Sequence, residues 1–228
     1  MLIRLFARLT SPWAWRSPRQ KARRFCAFAQ AEESSKLDLL LAANLTPNFD
    51  MKAAFIGHAL DETRHARMFM QRAQELARNE TSGYSGNVMA DFEHLYTVLG
   101  EVRFLAFVHH GERRGRNQFE VYREYLQRSG DKKSATMLDA ILVDESRHEN
   151  YTGEALTRLS GDGRARERLI RRMVVWEFWR RWRRVGRGLQ TVVFTLMMLV
   201  IYVAVLPLAL TVRWFLPVHV GWRRASGP

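Results

Sequence analysis

Two five-residue segments of the chain repeat one pattern of metal-binding side chains: Asp61-Glu62-Thr63-Arg64-His65 and Asp144-Glu145-Ser146-Arg147-His148. Within each copy, Glu and His stand three positions apart, which on a helix puts them on one face, a single turn from each other. A carboxylate oxygen and an imidazole nitrogen are thereby offered to one point. A carboxylate-rich set with only two imidazoles suits iron or manganese better than zinc. Both copies also fall on apolar stripes. One runs Phe55, Ala59, Glu62, His65, Phe69, and the other runs Leu138, Leu142, Glu145, His148, Thr152. A carboxylate on a core stripe is costly unless it is paired or bound to a cation. One E-x-x-H is weak, because Glu and His are common on solvated helix faces; two on core stripes carry much more weight.

Helices with breakers between them must hold these residues. The patterns predict helices over 21–44 and 50–79, separated by Thr46-Pro47-Asn48. A Gly/Ser-rich break follows at 81–86, then a short helix over 88–99 that Gly100 interrupts. A third long helix runs over 101–128. Ser129-Gly130-Asp131 turns it into a fourth, which ends near Ser160-Gly161-Asp162-Gly163. The expected fold class is all-α, a ferritin-like four-helix bundle over residues 21–163.

A two-metal site in such a bundle takes one further Glu from each of the other two helices. Glu112 lies on the stripe Leu105, Val108, Glu112, Gly115, Phe119, Tyr122, Leu126. In the first long helix, Glu33 lies on Cys26, Ala29, Glu33, Leu37, Leu40, while its neighbour Glu32 lies on Phe25, Phe28, Glu32, Ser35, Leu39. Glu33 is preferred and the choice stays open. Counted from the turns, antiparallel hairpins bring Glu33 level with Glu62 and Glu112 level with Glu145. Residues 80–100 would form the long crossover that keeps the second and third long helices parallel.

With these motifs in view, residues 25–160 resemble the ferritin-like di-iron carboxylate superfamily, which includes rubrerythrins, ribonucleotide reductase small subunits and bacterial hydroxylases. The segment Glu62-Thr63-Arg64-His65-Ala66-Arg67 and the Glu33-Ser34 context look most like rubrerythrins, and D-E-x-R-H looks like the oxygen-activating members. The resemblance implies two Fe ions, or a Mn/Fe pair, held by Glu33, Glu62, His65, Glu112, Glu145 and His148. It makes Glu62 and Glu145 bridging, gives Glu33 and His65 to one ion, and gives Glu112 and His148 to the other. Asp61 and Asp144 would accept the imidazole N–H groups and so orient the rings. Arg64 and Arg147 either pair with those aspartates or stay solvated. His58, His109, Tyr122 and Tyr151 lie close in sequence to this set, and each reads either as part of the site or as an ordinary packing residue.

Composition bounds the rest. The chain has 228 residues, a net charge of +13 and one cysteine, Cys26. It therefore lacks an internal disulfide framework and the four-cysteine iron domain of self-contained rubrerythrins, so electrons must come from an external donor protein. Residues 1–30 carry seven Lys/Arg and no acid, and residues 164–187 carry ten Arg against two Glu. From Gly188 to Val212 there are 25 uncharged residues, enough for one membrane span, since about 20 suffice. Basic flanks beside an apolar stretch favour an anionic bilayer over nucleic acid.

The expected organisation is a basic amphipathic membrane-contacting segment over 1–20, the bundle over 21–163, and a Trp-rich juxtamembrane helix over 164–187. A transmembrane helix over 188–212 and a basic tail over 213–228 complete it. Trp13, Trp15, Trp176, Trp179 and Trp182 read as interfacial anchors, although an Arg-rich, acid-free N-terminus is also what a mitochondrial transit peptide would show. The arginines preceding the span place the bundle on the cytoplasmic side of a bacterial inner membrane, with a mitochondrial inner membrane as the alternative. The function expected is a membrane-anchored di-iron oxygenase or oxidase acting with dioxygen on a lipophilic substrate. A ferroxidase or peroxidase, and a non-catalytic subunit of a larger membrane complex, are the rivals. A homodimer fits the bundle as well as a monomer does.

Overall fold

Three of the four long bundle helices begin where a side chain can take up backbone N–H groups left over in the first turn, and the fourth begins at Gly100 without such a cap. The computed structural model describes residues 2–77 and 94–215. Its elements are α1 (Leu2–Ala14), α2 (Pro18–Leu45), α3 (Phe49–Leu76), α4 (Leu95–Leu99), α5 (Glu101–Arg128), α6 (Lys132–Ser160) and α7 (Gly163–Phe215). Ser17 caps α2 ahead of Pro18, Asn48 caps α3 through the Met51 N–H at 3.1 Å, and Asp131 caps α6 through the Ser134 N–H at 3.2 Å. The α5–α6 turn is built on Gly130 at φ +83°. There Asp131 N donates to Leu126 O at 2.9 Å and Gly130 N to Gln127 O at 3.3 Å. This helix-ending pair of bonds needs a residue that tolerates the left-handed region.

The architecture is all-α, with no strand among the described residues. α2 lies along α3 and α5 along α6 as two hairpins, and α3 meets α6. Of the predicted elements, residues 78–79 at the end of the second long helix, the break at 81–86, the short-helix residues 88–93 and the tail beyond residue 215 lie outside the described residues. What is described of the short helix is α4, closed by Gly100 at φ +70°.

Apolar layers bracket the middle of the bundle. On one side Phe28, Phe69 and Phe119 pack with ring centroids 5.3–5.6 Å apart. On the other, Phe55 meets Phe104 at 5.8 Å. Phe25, Phe55, Phe69, Phe104, Leu105, Leu126, Leu138 and Ile141 are fully buried. The motif residues sit between these layers, where water is excluded and charge is expensive.

α1 packs on α5, with Arg4 reaching Glu120 at 2.5 Å. Its buried face is Ala7, Ser11 and Ala14, followed by Trp15. Trp15 is therefore not an interfacial anchor. It is 2% exposed and lies 5.2 Å from both Phe25 and Tyr122, because small residues at helical spacing let α1 sit close to the bundle. Leu5, Phe6, Leu9 and Trp13 stay exposed on the other side of α1.

The chain forms two compact units, 1–174 and 175–228. The expected juxtamembrane and apolar segments are not separate elements: they run on as one helix, α7, of 53 residues. Asp162 caps it through the Ala165 N–H at 2.6 Å. Gly186 and Gly188 do not end it, since a glycine costs a helix only about 1 kcal/mol. Its apolar part has a mean hydropathy of 2.6 over 18 residues, none of them buried, and it is long and apolar enough to cross a membrane.

Candidate metal centre

Four helices send side chains to the middle of the bundle in two groups. His58, Glu62, Glu112 and His148 form one, and Glu32, His65 and Glu145 form the other. In each group the ligand-type atoms lie within 4.8 Å of one another. Glu62, His65, Glu145 and His148 are at most 3% exposed, and Glu112 is 8% exposed. Glu112 stands with His148 and faces its Nδ1 at 3.5 Å, and His65 Nδ1 faces Glu145 at 3.8 Å.

The first long helix supplies Glu32, not Glu33. Glu33 pairs with Lys36 one turn along α2 on a side that keeps its side chain 31% exposed. The physical reason is the register of α2. Phe25 and Leu39 are buried, and Glu32 lies midway between them at seven-residue spacing, whereas Leu37 and Leu40 are each 43% exposed. The stripe through Glu33 thus turns outward at its C-terminal end.

The motif aspartates orient the rings, and they do so crosswise. With the ring protons on Nε2, His65 on α3 donates to Asp144 on α6 at 3.1 Å, and His148 on α6 donates to Asp61 on α3 at 3.0 Å. Arg64 bridges Asp61 at 2.8 Å and Asp144 at 2.5 Å. Arg147 bridges the same two aspartates at 2.5 and 2.8 Å. Burial would raise both aspartate pKa values. The histidine and arginine donors outweigh it and hold both carboxyls below their ordinary range.

Three buried side-chain atoms in the centre have no hydrogen-bond partner: Glu62 Oε2, His65 Nδ1 and His148 Nδ1. An unpartnered buried polar atom ordinarily costs about 1–3 kcal/mol. Two of these are imidazole nitrogens whose other nitrogen is fixed by a carboxylate, the arrangement by which proteins prepare a histidine to bind a metal. The electrostatics point the same way. Burial, followed by the carboxylates of Glu32, Glu112 and Glu145, pushes the Glu62 carboxyl well up. Burial, then Glu112 and Glu32, does the same to Glu145. Glu112 is held low instead, because His58 and His148 outweigh its burial. Four converging carboxylates match the charge of two divalent cations, and such cations would keep all four ionised. The donor set therefore fits a pair of hard metal ions.

Of the residues whose part was open in the sequence, His58 lies inside the first group. His109 lies outside both: its Nδ1 is 3.1 Å from Thr152 Oγ1 and from the Glu149 carbonyl oxygen, and burial lowers its pKa. Tyr122 packs among the aromatic rings, and Tyr151 contacts His58 at 2.7 Å. A signal for His58 was present, since it stands four residues before Glu62 on the same helix face.

A family model described as Rubrerythrin matches residues 22–156. Neither a curated protein nor a solved structure matches the chain.

Proposed function

Because this chain belongs to the rubrerythrin family of ferritin-like di-iron proteins, we propose that it is a membrane-anchored di-iron oxidoreductase that uses dioxygen to oxidise a lipophilic substrate. The observation that carries this reading is the set of three unpartnered buried atoms, on Glu62, His65 and His148, that face one another's groups between two aromatic layers. Glu32, Glu62, His65, Glu112, Glu145 and His148 would hold the two ions. When bound, a ferrous pair supplies two electrons to dioxygen.

The chain's own residues prepare that chemistry. Asp61 and Asp144 hold the ring protons of His148 and His65 on Nε2, so both Nδ1 lone pairs face inward. Arg64 and Arg147 pin those aspartates from both sides. The layers around Phe69 and Phe55 exclude water and so strengthen each electrostatic contact. Cys26 is buried and is the only cysteine, so the electrons are drawn from an external donor protein. In this reading the apolar part of α7 anchors the bundle to a bilayer and favours substrates that dissolve there, and the arginines before it favour a cytoplasmic bundle.

The test is metal analysis and Mössbauer spectroscopy of detergent-extracted protein, reduced and then exposed to oxygen, with extracts of the membrane lipids assayed for an oxidised product. About two coupled, oxygen-reactive irons per chain with an organic product would support the reading. Oxygen or peroxide turnover without one would reassign the site to iron or peroxide handling. Protein that takes up no metal would make it a non-catalytic subunit.

A further inference from the structure

The repeated motif accounts for two imidazoles at the centre, but three are there. His58 has no exposed side-chain surface, and its ring lies on that of His148 with centroids 3.7 Å apart. Its Nε2 faces two carboxylates, Glu62 Oε1 at 2.8 Å and Glu112 Oε1 at 3.5 Å. Its Nδ1 lies 2.7 Å from the Tyr151 hydroxyl.

Building on the di-metal reading above, we infer that His58 is a metal ligand through Nε2, with Tyr151 holding its Nδ1 proton as Asp61 and Asp144 hold those of the other rings. The argument is one of lone pairs. A neutral imidazole that donates Nδ1–H to Tyr151 turns its Nε2 lone pair toward two carboxylates. That contact is a hydrogen bond when a proton lies between Nε2 and Glu62, and a metal ion among Nε2, Glu62 and Glu112 takes the place of that proton. The other two rings meet the same requirement with the opposite nitrogen, since their Nδ1 atoms face inward and their Nε2 atoms face Asp. His58 approaches from α3 one turn before Glu62, so its ring reaches the centre along a different direction.

The consequence is that the two metal positions are unequal. One has His58, His148, Glu62 and Glu112; the other has His65, Glu32 and Glu145. Additional nitrogen ligation raises affinity for the later divalent metals more than for manganese. The His58 position should therefore fill first and should be the more selective of the two.

Cobalt(II) tests this directly, because a cobalt-bound imidazole gives a strongly shifted, exchangeable N–H proton signal. The full chain in detergent micelles, loaded with two equivalents of cobalt(II), should show three such signals, one more than the repeated motif supplies. His58→Ala should lose one of them, and the tighter of its two cobalt-binding steps should weaken roughly 10-fold or more. Tyr151→Phe should keep all three signals while weakening that step and speeding exchange of one proton. Two signals in the unaltered chain would overturn the assignment with the di-metal reading intact, leaving His58 as a hydrogen-bonding neighbour of Glu62. A chain that binds no cobalt would overturn both. The signal count in the unaltered chain does not depend on how any variant folds.

Discussion

Asp144 and His65 belong to different copies of the repeated motif, yet they face each other at 3.1 Å across the α3–α6 contact. Asp61 and His148 make the reciprocal pair at 3.0 Å. Each copy therefore supplies the carboxylate that orients the other copy's imidazole. The two motifs are half-sites that work only when α3 and α6 are docked. The arginines tighten the exchange, since each bridges both aspartates.

This crossing makes a specific prediction. Asp144→Asn should disturb the metal position served by His65, on the other helix, and leave the one served by His148 less affected. The loss in affinity should be about 10–100-fold, as for other partners that orient a ligand. Asp61→Asn should do the converse. Stepwise cobalt titration with shifted imidazole signals would read this, and disturbance of the ligand within the same copy would contradict it.

Glu32 and Glu33 are neighbours with opposite expected outcomes. Glu32→Ala should lower metal content to about one ion per chain or less, because the second group is left with His65 and Glu145. Glu33→Ala should keep full metal content and change stability by no more than about 0.5–1 kcal/mol, the worth of an exposed ion pair. Elemental analysis of the two purified variants decides it. Equal loss in both would mean that α2 can present either carboxylate.

Gly115 offers a separation of stability from site geometry. A Cβ there would come within 3.2 Å of Glu145 Oε2. Gly115→Ala gains helix propensity of up to about 1 kcal/mol, but it moves the Glu145 carboxylate by a few tenths of an ångström. Thermal stability should hold or rise while metal affinity falls, measured by melting and by cobalt titration on the same preparation. A fall in both would mean that the backbone, not the side chain, gives way.

Acid should loosen the bundle through Asp131. This carboxylate caps α6 and accepts from Lys21 Nζ at 2.7 Å and from Arg72 at 2.9 Å. Burial would raise its pKa, but Lys21 and the Ser134 N–H and hydroxyl outweigh burial and lower it. A carboxyl lowered on folding contributes stability that is fully present above its unfolded pKa, about 3.9. That stability is lost as pH falls through the lower folded value. Asp131→Asn should cost about 1–3 kcal/mol at neutral pH and should flatten the stability profile below pH ~4. Denaturant titrations of both proteins from neutral to acid pH provide the check.

Anchoring and metal binding should separate. A chain ending at Arg187 lacks the apolar part of α7 but keeps all seven side chains of the two groups. It should leave the membrane fraction and still load metal. Retention at the membrane would point to the exposed Leu5, Phe6, Leu9 and Trp13 face of α1 as a second attachment.

Local rules were enough for much of this protein. Helical spacing placed Glu62, His65, Glu145 and His148 on buried stripes, and the structure buries all four. Glycine and capping residues marked the ends of the long helices, and 25 uncharged residues marked the apolar part of α7. These features depend on periods of 3.6 residues and on turn chemistry, which are written along one strand of sequence. Three things depend on how one helix is rotated against another. The choice of Glu32 over Glu33 follows from the face that α2 turns to the bundle, a difference of 100° that two adjacent acids do not encode. The exchange of aspartates between motifs, and the entry of His58, need α3 and α6 side by side. The types and spacing of the candidate ligands were thus determined by the sequence alone. Which carboxylate faces which ring was decided by packing, because that depends on contacts between residues about 80 positions apart.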